Sequence, residues 1–333
     1  LFDNKGLVQV HAGRLQLLGG GTHSGSFVTL AGTALELGGD HRFEADTVLS
    51  NTSFRGPASL VVAGKTTLTN TGALVQMDPS GQPVVNVVVD GTLVNQPGAQ
   101  LDLLTRLTVN ATGRLQNDGV LGAGQLVNRG QVEHTGGSGV LGALSNEGGQ
   151  FTNGAHATLD VRGPLSNSGL VLNHGQLSAA VLSNSHPDSR FTNTGTLGFG
   201  SGVAQGDIVR NLGLIVNTGS VLQEGEGSFV AGQVVNHGLW AVDGGGGLLI
   251  DAADSFTGQG RLEIYGQSTL QVKGQLAQAS GIALYSGLLS GSGRLTGPVL
   301  VGPEGRLRPG NSPGTLTIEG DLTLTGSGLP YQP

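Results

Sequence analysis

The sequence predicts an all-β fold: a right-handed parallel β-helix of roughly 17 coils with about 19 residues in each coil. Three observations predict it. An Asn-x-Gly motif recurs at a nearly constant interval, short segments alternate between apolar and polar residues, and glycine, leucine and valine dominate the composition. A turn signal repeated at a fixed period is typical of solenoid proteins, in which each coil covers the apolar side chains of its neighbour.

The Asn-x-Gly motif supplies the period. Eighteen residues separate Asn128 from Asn146, and 18 separate Asn193 from Asn211. Asparagine tolerates a left-handed backbone and bonds to nearby backbone groups, so it suits the corner of a coil. We therefore expect five of these asparagines to occupy equivalent corners and to form a buried ladder of side-chain amides: Asn128, Asn146, Asn167, Asn193 and Asn211.

The segments between the turns alternate like strands. In Gly13-Arg14-Leu15-Gln16-Leu17, the two leucines point one way while Arg14 and Gln16 point the other. Each apolar set is only two or three residues long, which is too short to be buried in an isolated hairpin. Stacking many coils solves this problem, because the inward residues of one coil cover those of the next.

Composition excludes several classes of function. The chain has 333 residues, 61 glycines, 12% charged residues, no cysteine and a net charge of −7. The lack of cysteine excludes disulfides and thiolate metal sites. The acidic balance argues against a nucleic-acid partner. Because Asn4-Lys5-Gly6 is already a copy of the motif, we expect the chain to be a segment of a longer protein.

Regularity varies along the predicted helix, which we treat as one domain over 1–333. Coils over 1–110 are less regular, 111–240 holds the regular Asn-x-Gly coils, and 241–333 forms the C-terminal coils. Pro309 and Pro313 bracket a tight turn at 307–325, and the strands that follow are predicted to close the core with Leu316, Ile318, Leu322 and Leu324.

Two features resemble known families. The Asn-x-Gly coils are similar to the β-helix of filamentous-haemagglutinin-type adhesins. The segment 307–324, which reads Leu-Arg-Pro-Gly-Asn-Ser-Pro-Gly-Thr-Leu-Thr-Ile-Glu-Gly-Asp-Leu-Thr-Leu, resembles the passenger-associated repeat of bacterial autotransporters. The resemblance implies a secreted or cell-surface protein of a Gram-negative bacterium, with an outer-membrane translocator outside this segment.

One group of polar residues is a candidate binding site. Asp251, Asp254, Arg261, Glu263, Tyr265 and Lys273 lie close in sequence, and alternation places Arg261, Glu263 and Tyr265 on one outward face. Trp240 is expected to point outward, where it would stack on a sugar. The candidate binding residues are Trp240, Arg261, Glu263, Tyr265 and Lys273. The alternatives are a solvated ion pair between coils and an indole that fills a gap in the core.

Neither a metal site nor a cofactor is predicted. His174 and His237 both occupy the middle of an Asn-x-Gly motif. They are about three coils apart, or roughly 15 Å at the spacing of paired strands. One ion cannot bridge that distance.

The predicted function is a structural or adhesive passenger or stalk, without catalysis, that contacts a host-cell surface, matrix or glycan. One alternative is a carbohydrate-binding or polysaccharide-degrading β-helix with its site near 251–273, which requires converging carboxylates. The other is a module that associates with its own kind to form an aggregate or matrix. Low charge and faces rich in threonine, serine and asparagine permit that alternative.

Overall fold

The computed structural model describes residues 1–30, 32–76, 85–310 and 314–326. Over these residues the protein contains strands and turns and no helix, and its strands pair in parallel. They stack as a β-solenoid of about 15 turns, which confirms the predicted all-β solenoid. The chain divides into two compact units. Unit 1 comprises Leu1–Pro164 and Gly169–Gln176, and unit 2 comprises Leu165–Ser168 and Leu177–Pro333.

In unit 1, strands of three to five residues are interspersed with strands of nine residues or more. They are β1 (Leu7–Val10), β2 (Arg14–Leu17), β3 (Gly21–His23), β4 (Ser26–Thr29), β5 (Ala34–Phe43), β6 (Thr47–Leu49), β7 (Thr52–Val62), β8 (Thr67–Asn70), β9 (Ala73–Gln76), β10 (Val85–Val89), β11 (Thr92–Asn95), β12 (Gln100–Val109), β13 (Arg114–Asn117), β14 (Val120–Asn128) and β15 (Gln131–Asn146). β16 (Gln150–Asn167) follows, its last residues belonging to unit 2, and then β17 (Leu170–Asn173).

Most strands of unit 2 have three or four residues. They are β18 (Gln176–Asn184), whose first residue belongs to unit 1, β19 (Arg190–Asn193), β20 (Thr196–Phe199), β21 (Ile208–Arg210), β22 (Leu214–Asn217), β23 (Ser220–Gln223), β24 (Ser228–Val230), β25 (Gln233–Asn236), β26 (Leu239–Val242), β27 (Gly247–Ile250), β28 (Ser255–Gly258), β29 (Arg261–Ile264), β30 (Thr269–Val272), β31 (Gln275–Gln278), β32 (Ile282–Gly291), β33 (Arg294–Thr296), β34 (Val299–Pro309), β35 (Thr317–Glu319) and β36 (Leu322–Leu324).

Each coil of unit 2 contributes one strand to each of three faces. The first face runs through β19, β22, β25, β28, β31, β33 and β35. The second runs through β20, β23, β26, β29, the first half of β32, the first half of β34, and β36. The third runs through β21, β24, β27, β30 and the second halves of β32 and β34. Side chains of one row in one face are therefore neighbours, although about 20 residues separate them in sequence.

Alternation explains why these segments form strands. In β29, Leu262 and Ile264 are fully buried, whereas Arg261 is exposed. The same alternation recurs in β30, where Leu270 and Val272 are buried. Stacking the inward residues of successive coils removes a continuous column of aliphatic side chains from water, and this burial is the main stabilising contribution.

The C-terminal strand departs from its prediction. Leu322 and Leu324 are in register with Val299 and Val301, which are inward positions of the preceding coil. They are nevertheless 43% and 64% exposed. The prediction that they are buried in the core is therefore wrong, because no described strand stacks over β36. Asn311, Ser312 and Pro313 of the repeat-like segment lie outside the described residues.

Candidate functional site

The buried asparagines form more than one ladder. In unit 1, Nδ2 of Asn128 donates to Oδ1 of Asn146 at 2.7 Å. In unit 2, Asn167 donates to Asn184 at 2.8 Å and Asn184 donates to Asn211 at 2.9 Å. Each amide also donates to a backbone carbonyl, so a side chain at the corner replaces a hydrogen bond that the turning backbone cannot make.

Asn193 belongs to a different ladder from the one predicted. Its Nδ2 donates to Oδ1 of Asn217 at 2.8 Å, and Asn217 donates to Asn236 at 2.7 Å. These residues end the strands of the first face, whereas Asn184 and Asn211 lie by the ends of β18 and β21. The five asparagines therefore do not share one corner, because a coil turns sharply at more than one place and asparagine is used at two of them.

Several ladder members lack the Asn-x-Gly motif. Asn184 is followed by Ser-His, and Asn95 by Gln-Pro-Gly. Asn95 nevertheless accepts from Asn70 at 2.7 Å and donates to Asn117 at 2.6 Å. The shared signal is an asparagine that closes a short run of alternating residues, and glycine two positions later is only a frequent companion.

A histidine occupies one position of the ladder in unit 1. Nδ2 of Asn117 donates to Nδ1 of His134 at 2.7 Å, which leaves the proton of the imidazole on Nε2, 3.2 Å from the carbonyl of Thr158. Asn153, near the start of β16, donates to Asn173 at 2.8 Å, but its Oδ1 has no hydrogen-bond partner. Burial lowers the pKa of His134, although backbone hydrogen bonds and nearby Asp118 oppose that effect.

A pair of buried histidines, His23 and His41, lies near the start of unit 1. Nε2 of His23 lies 2.8 Å from Nδ1 of His41, and Nε2 of His41 lies 3.1 Å from the carbonyl of Leu17. Nδ1 of His23 has no partner. Burial, together with the charge that His41 would carry, lowers the pKa of His23 to about 4. Burial also lowers the pKa of His41, so both rings serve as neutral core residues. The ring of His23 stacks on that of His41 and packs against Phe27 and Phe43.

The predicted polar group assembles in part. Nε of Arg261 lies 2.8 Å from Oε1 of Glu263, and the hydroxyl of Tyr265 donates to Oε2 of Glu263 at 2.7 Å. Tyr285, which sequence reasoning missed, accepts a hydrogen bond from Arg261 and stacks on Tyr265 with ring centroids 4.9 Å apart. Because Tyr285 lies one coil further on, only the period of the solenoid indicates its place beside Tyr265.

Lys273 and Asp251 form a separate cluster. Asp251 pairs with Arg210 at 3.0 Å and with Lys273 at 3.4 Å, and the carboxylate of Asp254 accepts from the backbone N–H of Asp251 at 2.9 Å. The hydrogen bond from Arg210 holds the pKa of Asp251 below its ordinary value. These residues lie where strands of the third face end, whereas Arg261 and Glu263 lie on the second face.

Trp240 points inward instead of outward. It is fully buried in β26, and its ring packs edge-on against Phe199 and Phe256, at centroid distances of 5.9 and 5.2 Å. Leu239, its neighbour, is the outward residue. Alternation therefore holds in this strand, but in the opposite phase, because the large indole gains more from burial than the smaller leucine. Trp240 is not available for stacking on a sugar.

The charges in the Arg261 cluster satisfy one another. Both oxygens of Glu263 have partners, and its side chain is only 14% exposed. Burial and the hydrogen bond to Glu263 raise the pKa of Tyr265 to about 12, so the phenol remains a donor.

The described residues contain no group of three or more histidine, aspartate or glutamate side chains placed to hold a metal ion. They also contain no helix long and apolar enough to cross a membrane.

The class that these observations define is an all-β protein of parallel stacked coils with amide ladders at its corners. No protein-family model, curated protein or solved structure matches the chain.

Proposed function

We propose that this chain is a non-catalytic structural and adhesive passenger or stalk of a secreted or cell-surface bacterial protein. Its outward strand faces and loops would attach to a host-cell surface, a matrix or a glycan. An outer-membrane translocator elsewhere in the longer protein would export it.

The observation that carries the proposal is the division between the interior and the outer faces of the coils. Aliphatic side chains and amide ladders fill the interior, and their polar atoms are largely bonded to one another. Among the described residues, the aspartate, glutamate, lysine and arginine side chains lie outside the buried core, with Glu36 as the single exception. Such a chain offers extended surfaces, and binding is expected to be distributed over them rather than concentrated in a deep pocket.

An attachment assay tests the proposal. Beads coated with the chain should be retained under flow on at least one surface in a panel of matrix proteins and immobilised glycans, compared with beads coated with an inert protein. Retention at the level of the inert beads on every surface would contradict the attachment function. Clumping of coated beads with one another would instead support the self-association alternative.

The second candidate is glycan binding at the Arg261 cluster, favoured by the stacked Tyr265 and Tyr285 beside a bonded Arg–Glu pair. Replacing Glu263 by Gln should weaken the affinity for such a glycan. Neither the wild-type protein nor the variant should cleave the glycan. Release of reducing ends or unsaturated sugars from a polysaccharide, abolished by Glu263→Gln, would establish catalysis and overturn the non-catalytic proposal.

A further inference from the structure

A groove of about 830 Å³ lies at the third face of unit 2, around the second half of β34. Its lining includes Thr269 of β30, Ser286 of β32, and Glu304, Arg306 and Arg308 of β34. It is separate from the Arg261 cluster, which lies on the second face. Its polar side chains come from three successive coils, which suits a ligand that spans several ångströms.

The two arginines of the groove, Arg306 and Arg308, have no acidic partner among the described residues. Nine other arginines of this protein form ion pairs within the described residues: Arg14, Arg42, Arg55, Arg114, Arg129, Arg162, Arg210, Arg261 and Arg294. Arg306 and Arg308 are both exposed and form none with the described residues. In the preceding coil they are in register with Leu288 and Ser290, which carry no charge. Their guanidinium donors are thus free to bind an anion.

Strand geometry aligns the two arginines. Residues two apart on a strand point to the same side, about 7 Å from each other. Arg306 and Arg308 therefore present two forks of donors along one row. Guanidinium forks match carboxylate groups in two-point hydrogen bonds, so the row suits a ligand with carboxylates at a similar repeat.

Glu304 continues the same row and narrows the choice of ligand. It is exposed, and it is in register with Ser286. A carboxylate accepts hydrogen bonds from hydroxyl groups but repels phosphate, and the net charge of −7 also disfavours a polyphosphate chain. A neutral sugar would leave the arginines without counter-charges. A sugar acid carries both the carboxylate and the hydroxyls that this row would bind.

We propose that this groove binds an acidic oligosaccharide, with sugar carboxylates on Arg306 and Arg308 and sugar hydroxyls donating to Glu304. Ser286 and Thr269 provide further hydroxyl partners on the adjacent coils. The proposal rests on the attachment function above and names the chemical class of one partner.

Calorimetric titration with a short oligogalacturonate tests the site, and the methyl-esterified form of the same oligomer is the matched ligand. We expect the acid form to bind and the ester to bind at least about tenfold more weakly, since esterification removes the charge-assisted hydrogen bonds. The double substitution Arg306→Gln and Arg308→Gln should weaken binding of the acid form by at least about tenfold. The control is Arg106→Gln with Arg190→Gln, two exposed arginines elsewhere, and it should leave the affinity unchanged.

The effect of Glu304→Gln on affinity distinguishes binding of a sugar acid from binding of a simple anion. For the proposed ligand, this substitution should weaken binding severalfold, because a hydroxyl acceptor is lost. For single-stranded DNA or a vesicle of anionic lipid, it should strengthen binding, because a repelling charge is removed. The proposal would be overturned if DNA or the anionic vesicle bound more tightly than oligogalacturonate and Glu304→Gln increased that binding further.

Two further results would also overturn it: no binding of oligogalacturonate, or equal binding of acid and ester. The bead assay distinguishes this failure from failure of the attachment function. If coated beads attach to another surface but oligogalacturonate does not bind, the acidic-sugar site is wrong and the attachment function stands. If oligogalacturonate binds but the beads attach to no surface, the attachment function is wrong and the acidic-sugar site stands.

Discussion

Asn236 and Gln278 are hydrogen-bonded across an intervening coil. Nδ2 of Asn236 donates to Oε1 of Gln278 at 2.7 Å. Gly258 occupies the position between them, since it is in register with Gln278 and follows the residue paired with Val235. Gly258 has φ +145°, and a Cβ there would lie 1.9 Å from the carbonyl oxygen of Asn236. The longer side chain of glutamine therefore bridges the gap that glycine leaves.

This bridge predicts that glutamine cannot be replaced by the usual ladder residue. Gln278→Asn should lower the free energy of unfolding by about 1–3 kcal/mol, because the shorter side chain leaves buried polar groups unpaired. Gln275→Asn, at an exposed position of the same strand, is the control and should change it by less than about 0.5 kcal/mol. Urea unfolding followed by circular dichroism measures both. Equal stability of the two variants would contradict the bridging role.

Asn146→Leu tests the ladder of unit 1. Asn146 accepts from Asn128 at 2.7 Å and donates to the carbonyls of Gly149 and Leu170 at 2.9 and 3.1 Å. A leucine is similar in size but leaves these groups unsatisfied, so we expect a loss of about 1–3 kcal/mol in the free energy of unfolding. Ser145→Ala in the same strand, a half-buried outward position, is the control. A thermal melt unchanged by Asn146→Leu would show that the ladder contributes nothing to stability.

His134→Asn should reduce the acid sensitivity of unit 1. The pKa of His134 is lowered in the folded state, so the unfolded chain binds the proton more tightly. Its contribution to stability is therefore full above about pH 6.5, the ordinary value of histidine, and falls as the pH drops below it. Asparagine does not titrate, and its Nδ2 would face the unpartnered Oδ1 of Asn153.

The measurement is the free energy of unfolding of both proteins from pH 7 to pH 5. At pH 7 the two should agree within about 1 kcal/mol, since one neutral hydrogen-bonding group replaces another. Below pH 6.5 the wild-type protein should lose more stability than the variant. His23, whose pKa is about 4, remains in the variant, so some loss of stability between pH 6.5 and pH 5 should persist. Parallel pH profiles would refute a role for His134.

The fluorescence of Trp240 should report on the packing of the core and not on ligand binding. Its fluorescence should be insensitive to added saccharides and weakly quenched by acrylamide, because the ring is fully buried among Phe199, Phe229 and Phe256. Trp240→Ala should cost about 3–5 kcal/mol through the cavity it leaves. Trp240→Phe should cost much less, since Nε1 of Trp240 has no hydrogen-bond partner to lose. A saccharide-dependent change in emission would contradict the buried placement.

The sequence alone was sufficient to predict the fold class. A strand in a stacked solenoid needs only alternation and a turn at each corner, and both are local patterns. The same locality explains why Asn128 and Asn146 were predicted to pair: the Asn-x-Gly signal and an interval of one coil place them on adjacent strands, and their amides are hydrogen-bonded. It also explains why Arg261, Glu263 and Tyr265 were expected on one face, where they are hydrogen-bonded to one another.

Tertiary structure alone decided which corners the ladders use, which way Trp240 points, and which residues of later coils complete each cluster. Asn193 and Asn211 carry the same motif, yet Asn193 ends a strand of the first face and Asn211 follows a strand of the third. Coil lengths vary, and this variation shifts the register of later corners. Tyr285 and Gln278 reach their partners from one and two coils away. Contacts of this kind depend on how coils of unequal length stack, and no local pattern of residues encodes that alignment.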